Sequence, residues 1–240
     1  MTPLVLVGAG GFARETAELV RAINRVEPRY ELLGYLDDDP ALHGQLITGA
    51  EVLGSLEAVR ALADAKVVVC LGSPTSIGLR RTVVDRLGLD DARVETLVHP
   101  AATVSESVSL GAGTVIHAGV VMTADIEVGR HVEVMPGVVM THDDRVADYA
   151  TFGAGVRLAG GVTIGEAAYI GSGAMVREGV PIGAGALIGM GSVVTRPVPA
   201  NEVWAGVPAR RLRPVNHGGL EQHDPSCPSH SGCPTEEDTP

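Results

Sequence analysis

An α/β unit leading into a parallel β-coil is the fold class that the sequence predicts. Three observations carry it. Strand and helix patterns alternate from residue 1 to about residue 97. Apolar residues then recur at every sixth position from Val104 to Val194. The chain of 240 residues holds 31 glycines but only 3% aromatics, which suits a narrow core of Val, Ile, Leu and Ala joined by many tight turns.

The first unit reads in βαβ order. Leu4–Val7 is an apolar run. A glycine turn follows, then a helical stretch over Ala13–Asn24 and a second strand over Glu31–Leu36 that ends in Asp37, Asp38 and Asp39. A helix near Leu56–Ala63, a strand at Lys66–Leu71 and a helix near Ser76–Leu87 complete it. Alternation of this kind predicts a parallel sheet.

The repeat dominates the rest. Stepping by six from Val104 meets Leu110, Ile116, Met122, Val128, Val134 and so on to Val194, all apolar. The next residue is often glycine, and the fifth place of each hexad is usually small or β-branched, as at Val108, Thr114, Val156 and Ala186. A helix cannot hold this spacing, because six residues drift around a 3.6-residue period, and an ordinary strand alternates with period two. A strict period of six fits a prism with three short strands per turn, apolar residues pointing inward. The expected domains are residues 1–97, 98–214 and a tail at 215–240, rich in Pro, Ser, Gly, Asp and Glu and expected to be disordered. Within that tail His217, His223, Cys227, His230 and Cys233 match no zinc spacing.

Composition excludes several classes. A formal net charge of −11 argues against nucleic acid as a partner. No apolar run reaches membrane-spanning length, and Met1-Thr2-Pro3 lacks the basic start of a secretion signal. The three cysteines give no disulfide framework, so a reducing cytoplasm is the expected compartment, with Cys70 a small buried residue.

Two motifs can carry chemistry. Gly8-Ala9-Gly10-Gly11-Phe12-Ala13, after a strand and before a helix, has the form of a phosphate-cradling turn. Asp37 and Asp38, at the end of the next strand, are placed to hydrogen-bond a ribose or base. The alternatives are NAD binding and a plain tight turn. Thr141-His142-Asp143-Asp144 interrupts the coil. His142 follows an inward Met140 as the chain turns, so it is expected near the surface, where an imidazole can take a proton from an attacking amine or hydroxyl. Asp143 can fix its tautomer. Asp144 occupies an inward place and needs a partner. His99, beside Pro100, reads as structural. The spacing of His117, His131 and His142 does not suggest a zinc site.

Gly8-Ala9-Gly10-Gly11-Phe12, Leu36-Asp37-Asp38, Leu97-Val98-His99-Pro100, His142-Asp143 and Gly206-Val207-Pro208-Ala209-Arg210 occur in that order. In this the chain resembles the sugar O-/N-acetyltransferases of the NeuD-like and PglD-like family over residues 3 to 213. The resemblance implies a Rossmann-like domain followed by a left-handed parallel β-helix, and a homotrimer with sites between neighbouring coils. It implies that Gly10, Gly11, Phe12, Asp37, Asp38 and Gly72 bind the acceptor. His142 would be the general base and Asp143 its partner. The N–H of Gly160 would polarise the thioester carbonyl, and Thr151, Ser172 and Met190 would contact acetyl-CoA, with the loop at Gly206–Arg210 closing near its end. No metal is implied. Thr151 stands where members of the nucleotide-aminosugar branch often carry a histidine that helps hold the acetyl group, Phe12 replaces a histidine found in some members at the turn, and Asp144 stands where many members have a small residue such as Cys.

The reading is acetyl transfer from acetyl-CoA to an amine or hydroxyl of a sugar, most simply a nucleotide-linked 4-amino-4,6-dideoxyhexose. O-acetylation of sialic acid or an antibiotic sugar is one alternative. A non-catalytic scaffold that binds a nucleotide-sugar is another.

Overall fold

The fold is described from a computed structural model covering residues 1–216. The tail's histidines and cysteines, from His217 on, lie outside the described residues.

Strand β1 (Thr2–Val7) is buried at its C-terminal four residues and runs into helix α1 (Gly11–Val26). Helix α1 buries Ala13, Thr16, Ala17, Leu19 and Val20, a stripe at helical spacing, against the sheet. Strand β2 (Tyr30–Leu36) follows, then β3 (Leu46–Ile47), β4 (Ala50–Gly54) and β5 (Lys66–Val69). The sheet order is β3-β4-β2-β1-β5. β1, β2, β4 and β5 pair in parallel, as the alternation predicts. The edge pair β3–β4 is antiparallel, which the sequence pattern does not reveal. A turn through Thr48 and Gly49, both at positive φ, closes this short hairpin. The segment expected as a helix near Leu56 is a 3-10 helix over Leu56–Ala61. Helix α2 (Leu79–Leu87) begins three residues later than the sequence suggests, after a run of turns.

The second region is a parallel β-helix. Its first face stacks Leu97–Val98, Val115–Ile116, Glu133–Val134, Thr151–Phe152, Tyr169–Ile170 and Leu187–Ile188. Its second stacks Thr103–Val104, Val121–Ala124, Val139–His142, Arg157–Leu158, Met175–Val176 and Val193–Val194. Its third stacks Ser109–Leu110, Glu127–Val128, Arg145–Val146, Thr163–Ile164 and Pro181–Ile182. Each strand pairs in parallel with the one 18 residues away, as Val139 does with Arg157. The stepped positions Ile116 to Val194 are all buried in one core. The period of six is therefore the period of one face, and three faces make a coil.

The corners explain the glycines. The corner column Gly113, His131, Tyr149, Ala167 and Gly185 lies at positive φ throughout, between 52° and 77°. Asp125, Asp143, Gly161 and Gly179 do the same at the corner between the second and third faces. Glycine takes this conformation freely and Asp tolerates it better than most residues. A hairpin, Glu202–Gly206 with Ala209–Pro214, caps the coil and extends the first face.

The two regions share an apolar core. Leu97 and Val115, outward-pointing on the first face, are fully covered by the α/β unit and pack with Leu4, Ala13 and Val20. Phe12, from the glycine turn, meets the ring of His117 edge-on at 5.8 Å. Cys70 is buried as expected, and burial pushes its thiol up.

Candidate active site

His142 ends a strand on the second face. Its backbone is held on both sides: the Asp143 N–H donates to the Ala124 carbonyl at 3.1 Å, and the Gly161 N–H donates to the His142 carbonyl at 2.7 Å. Asp143 sits at φ 59°, which turns the chain and leaves both side chains mostly exposed. The imidazole Nδ1 lies 2.8 Å from Asp143 Oδ2. A carboxylate accepts only, so Nδ1 carries the proton and Nε2 presents its lone pair outward. Gly160, one coil further on, lies directly beneath the ring. A Cβ there would run into the imidazole carbons and nitrogens. Among the described residues the Gly160 N–H meets no acceptor, so it is free to donate.

Asp144 points inward and is fully buried, at a place held elsewhere mostly by Val or Ala and otherwise by Thr114, Ile126 and Ser192. Its Oδ1 accepts from the Val162 N–H at 2.8 Å, while Oδ2 has no hydrogen-bond partner. Thr114 makes the same bond with its hydroxyl, accepting from the Val132 N–H at 3.1 Å. Burial pushes the Asp144 carboxyl up to about 6 against the pull of the Val162 and Thr141 N–H groups.

The glycine turn is built as expected. Gly10 is the N-cap of α1 without a side-chain cap, and Gly10 and Gly11 are exposed. Asp37 Oδ2 accepts from the Ala9 N–H at 2.9 Å, which ties the end of β2 to the turn. Asp38 accepts from the Leu56 N–H at 3.1 Å and pairs with Arg86 at 2.8 Å. Burial pushes its carboxyl up, but the Leu56 N–H and Arg86 together hold it below the usual range. Gly72 follows β5, where the order of the sheet switches sides around β1, the position at which open α/β sheets form a ligand crevice.

The residues expected at the donor divide into two groups. Ser172 and Met190 are exposed and 18 residues apart, on the corner between the first and second faces. Thr151 is different. It lies on the first face, 8% exposed, and its hydroxyl accepts from Arg80 of α2. In one protomer it stands with Gly72 and Arg80, on another face from His142. His99 and His117 line a cavity of about 330 Å³ with Leu19, Ala22 and Pro136. Burial holds His117 neutral, down at about 4, with a smaller contribution from His99. His131 is likewise held down at about 4, by burial first and then by Arg130 and Arg80, and it stacks on Tyr149 at 5.4 Å.

Sequence reasoning missed Arg80 and Glu133. Both signals were present: Arg80 falls on the buried stripe of α2 with Val83, Val84 and Leu87, and Glu133 interrupts an outward column of Leu97 and Val115.

Residues 3–87 match the family described as the PglD N-terminal domain, and residues 161–196 match the bacterial transferase hexapeptide (six repeats). A histidine-to-alanine mutant of GDP-perosamine N-acetyl transferase from Caulobacter crescentus, in complex with CoA and GDP-perosamine, is 32% identical, with a TM-score of 0.77 over 88% of this chain and 96% of that one. The chain belongs to the PglD-like family of sugar acetyltransferases. This acetyltransferase is also similar to the acetyltransferase domain of PglB from Neisseria gonorrhoeae in complex with acetyl coenzyme A, at 29% identity and TM-score 0.78 over 88% and 99% of the two chains. WeeI from Acinetobacter baumannii gives 27% identity and TM-score 0.77 over 88% and 100%. No curated protein matches the acetyltransferase. Among its described residues no helix is long and apolar enough to cross a membrane, and no three His, Cys, Asp or Glu are grouped to hold a metal.

Proposed function

We propose that the enzyme transfers the acetyl group of acetyl-CoA to the 4-amino group of a nucleotide-linked 4-amino-4,6-dideoxyhexose. The observation that carries this is the His142 ring, seated on Gly160 with Nδ1 on Asp143 and Nε2 open to the outside. It is supported by the similarity to an enzyme solved with CoA and GDP-perosamine.

In this reaction the amine attacks the thioester carbonyl. His142 Nε2 takes the proton that the nitrogen sheds, and Asp143 balances the imidazolium. The Gly160 N–H donates to the oxyanion of the tetrahedral intermediate. The C–S bond then breaks, and the proton on His142 neutralises the departing thiolate. The glycine turn at Gly10, Gly11 and Phe12, with Asp37 behind it, holds the nucleotide end of the acceptor. Gly72 borders the same crevice. Asp38 supports the end of β2 through Leu56 and Arg86 instead of touching the ligand.

Ser172 and Met190 hold the CoA arm along their corner. That corner and His142 lie at opposite edges of the second face, which turns Val121, Val139, Met175 and Val193 outward. We infer that a homotrimer brings His142 of one protomer to the Ser172–Met190 corner of the next.

Thiol release from acetyl-CoA with a panel of nucleotide-linked aminosugars, GDP-perosamine included, tests the reading. Turnover with a 4-amino sugar that is lost in His142→Ala supports it. Acetyl-CoA binding without turnover on any amine, and turnover on a hydroxyl sugar, would replace N-transfer by O-transfer. No acetyl-CoA binding would leave a nucleotide-sugar scaffold.

A further inference from the structure

Behind Gly72 lies a charged pair that the proposed chemistry does not use. Arg80 is 4% exposed and Glu133 is 2% exposed, and Arg80 Nε lies 3.2 Å from Glu133 Oε1. Arg80 belongs to the α/β unit and Glu133 to the first face of the coil, so the pair crosses the junction. Removing two charges from water is costly unless further hydrogen bonds compensate. Arg80 makes three. Its guanidinium donates to the carbonyl of Leu71 at 3.0 Å, to the carbonyl of His131 and to the Thr151 hydroxyl. Burial pushes the Glu133 carboxyl up, and the adjacent guanidinium, which does not shed its proton, pulls it back toward the ionised form.

The contacts converge on one segment. Leu71 and Gly72 follow β5 and open the run of turns that leads to Gly78, the N-cap of α2. Arg80 holds the Leu71 carbonyl. The Gly72 backbone lies on the Glu133 carboxylate so closely that a Cβ would collide with it. Leu71, Gly72, Ser73 and Gly78 line a small cleft together with Arg80 and Thr151. The segment is therefore fixed from beneath by one fork and one carboxylate, and its upper side borders the crevice at the switch point of the sheet.

We propose that Arg80, Glu133 and Thr151 are positioning residues that set the Leu71–Gly78 segment for acceptor binding. Thr151 thereby serves the acceptor through Arg80 in its own protomer. The proposal rests on the reading of the glycine turn and Gly72 as the acceptor site. It separates acceptor from donor, since Ser172 and Met190 lie on another corner of the coil.

Steady-state kinetics of Glu133→Gln and Thr151→Val test it, with the nucleotide aminosugar that the wild type turns over. A segment out of place is expected to cost about 10- to 100-fold in kcat/KM for the acceptor in Glu133→Gln. The loss should appear in the acceptor KM, with the KM for acetyl-CoA unchanged. Thr151→Val, which removes one hydroxyl and keeps the volume, should shift the same constant by less. Hydrogen exchange of ligand-free protein over residues 70–78 should accelerate in both variants while the coil stays protected. Equal rises in both KM values, or an unchanged acceptor KM and unchanged exchange, would overturn the proposal. If the wild type binds no nucleotide-sugar, the acceptor reading itself fails, and unchanged exchange then overturns the fixing of the segment on its own.

Discussion

His142 and Glu133 stand on neighbouring faces of the same coil, and the repeat sends both side chains outward. Their fates differ. His142 remains open at a corner, free to meet substrate, whereas Glu133 is roofed by the α/β unit and needs Arg80 to remain tolerable there. A repeat decides which side chains leave the core. It does not decide what, if anything, covers them. Asp144 supplies the third case, a carboxylate on the inward side with only one oxygen satisfied.

Replacing His142 by Ala sets the difference at its largest. Turnover should fall by about 10²- to 10⁴-fold, the range for loss of a general base. The melting temperature should not change, because the ring is mostly exposed and bonds only to the equally exposed Asp143 among the described side-chain hydrogen bonds. A mutant that melts early would show that the corner, too, is structural.

The covered site should behave in the opposite way. Arg80→Leu leaves Glu133 buried without its partner and should cost about 3–5 kcal/mol in denaturant unfolding. Arg80→Leu with Glu133→Leu should recover most of that stability but not the acceptor KM. If the double variant is as unstable as the single one, burial of unpaired charge is not the cause.

Asp144 gives a pH test with a definite sign. Its folded value, about 6, lies above the usual carboxylate value of 3.8, so the fold disfavours its charged form. The resulting cost is fully present above pH 6 and disappears as pH falls toward 3.8. Asp144→Thr, which copies the hydroxyl of Thr114 at the equivalent inward place, should therefore raise stability by up to about 3 kcal/mol at pH 8 and by much less near pH 4. His117 and His131 act in the other direction. Both are held near 4, so the stability they contribute is complete above pH 6.5 and is lost as pH falls to 4. Thermal melts across pH 4 to 8 should show wild-type protein weakening through that window, with the Asp144→Thr advantage shrinking beside it.

The smallest effect sharpens the exposed site. Gly160→Ala forces the His142 ring from its seat and should cost about 100-fold in turnover, as a misplacement of about 1 Å can. Added to His142→Ala it should cost little more, since both act through one ring. Full additivity would mean that Gly160→Ala acts by displacing its own N–H from the oxyanion and not through the imidazole ring.

The coil was legible because its code is local. Each hexad repeats one face, so Ile116 to Val194 could be placed in the core one by one, and the break at His142-Asp143-Asp144 stood out against that regularity. The α/β strands were legible for the same reason, as short apolar runs. The β3–β4 hairpin was not, because its two strands are short, lie at the sheet edge and carry exposed Leu46 and Glu51. Asp38 shows what a strand-end carboxylate conceals in sequence: its bonds to the Leu56 N–H and Arg86 come from elements 18 and 48 positions further along the chain.

The sequence by itself determined the repeat, the corner that carries His142 and the glycine turn, since periodicity and turn chemistry act over neighbouring residues. Only the tertiary structure decided that Arg80, 53 positions before Glu133 in the chain, lies beside it, and that Thr151 hydrogen-bonds to the same guanidinium. No local pattern encodes which outward column the α/β unit will cover. That choice is made by docking two surfaces, and it turned an outward carboxylate into a buried one.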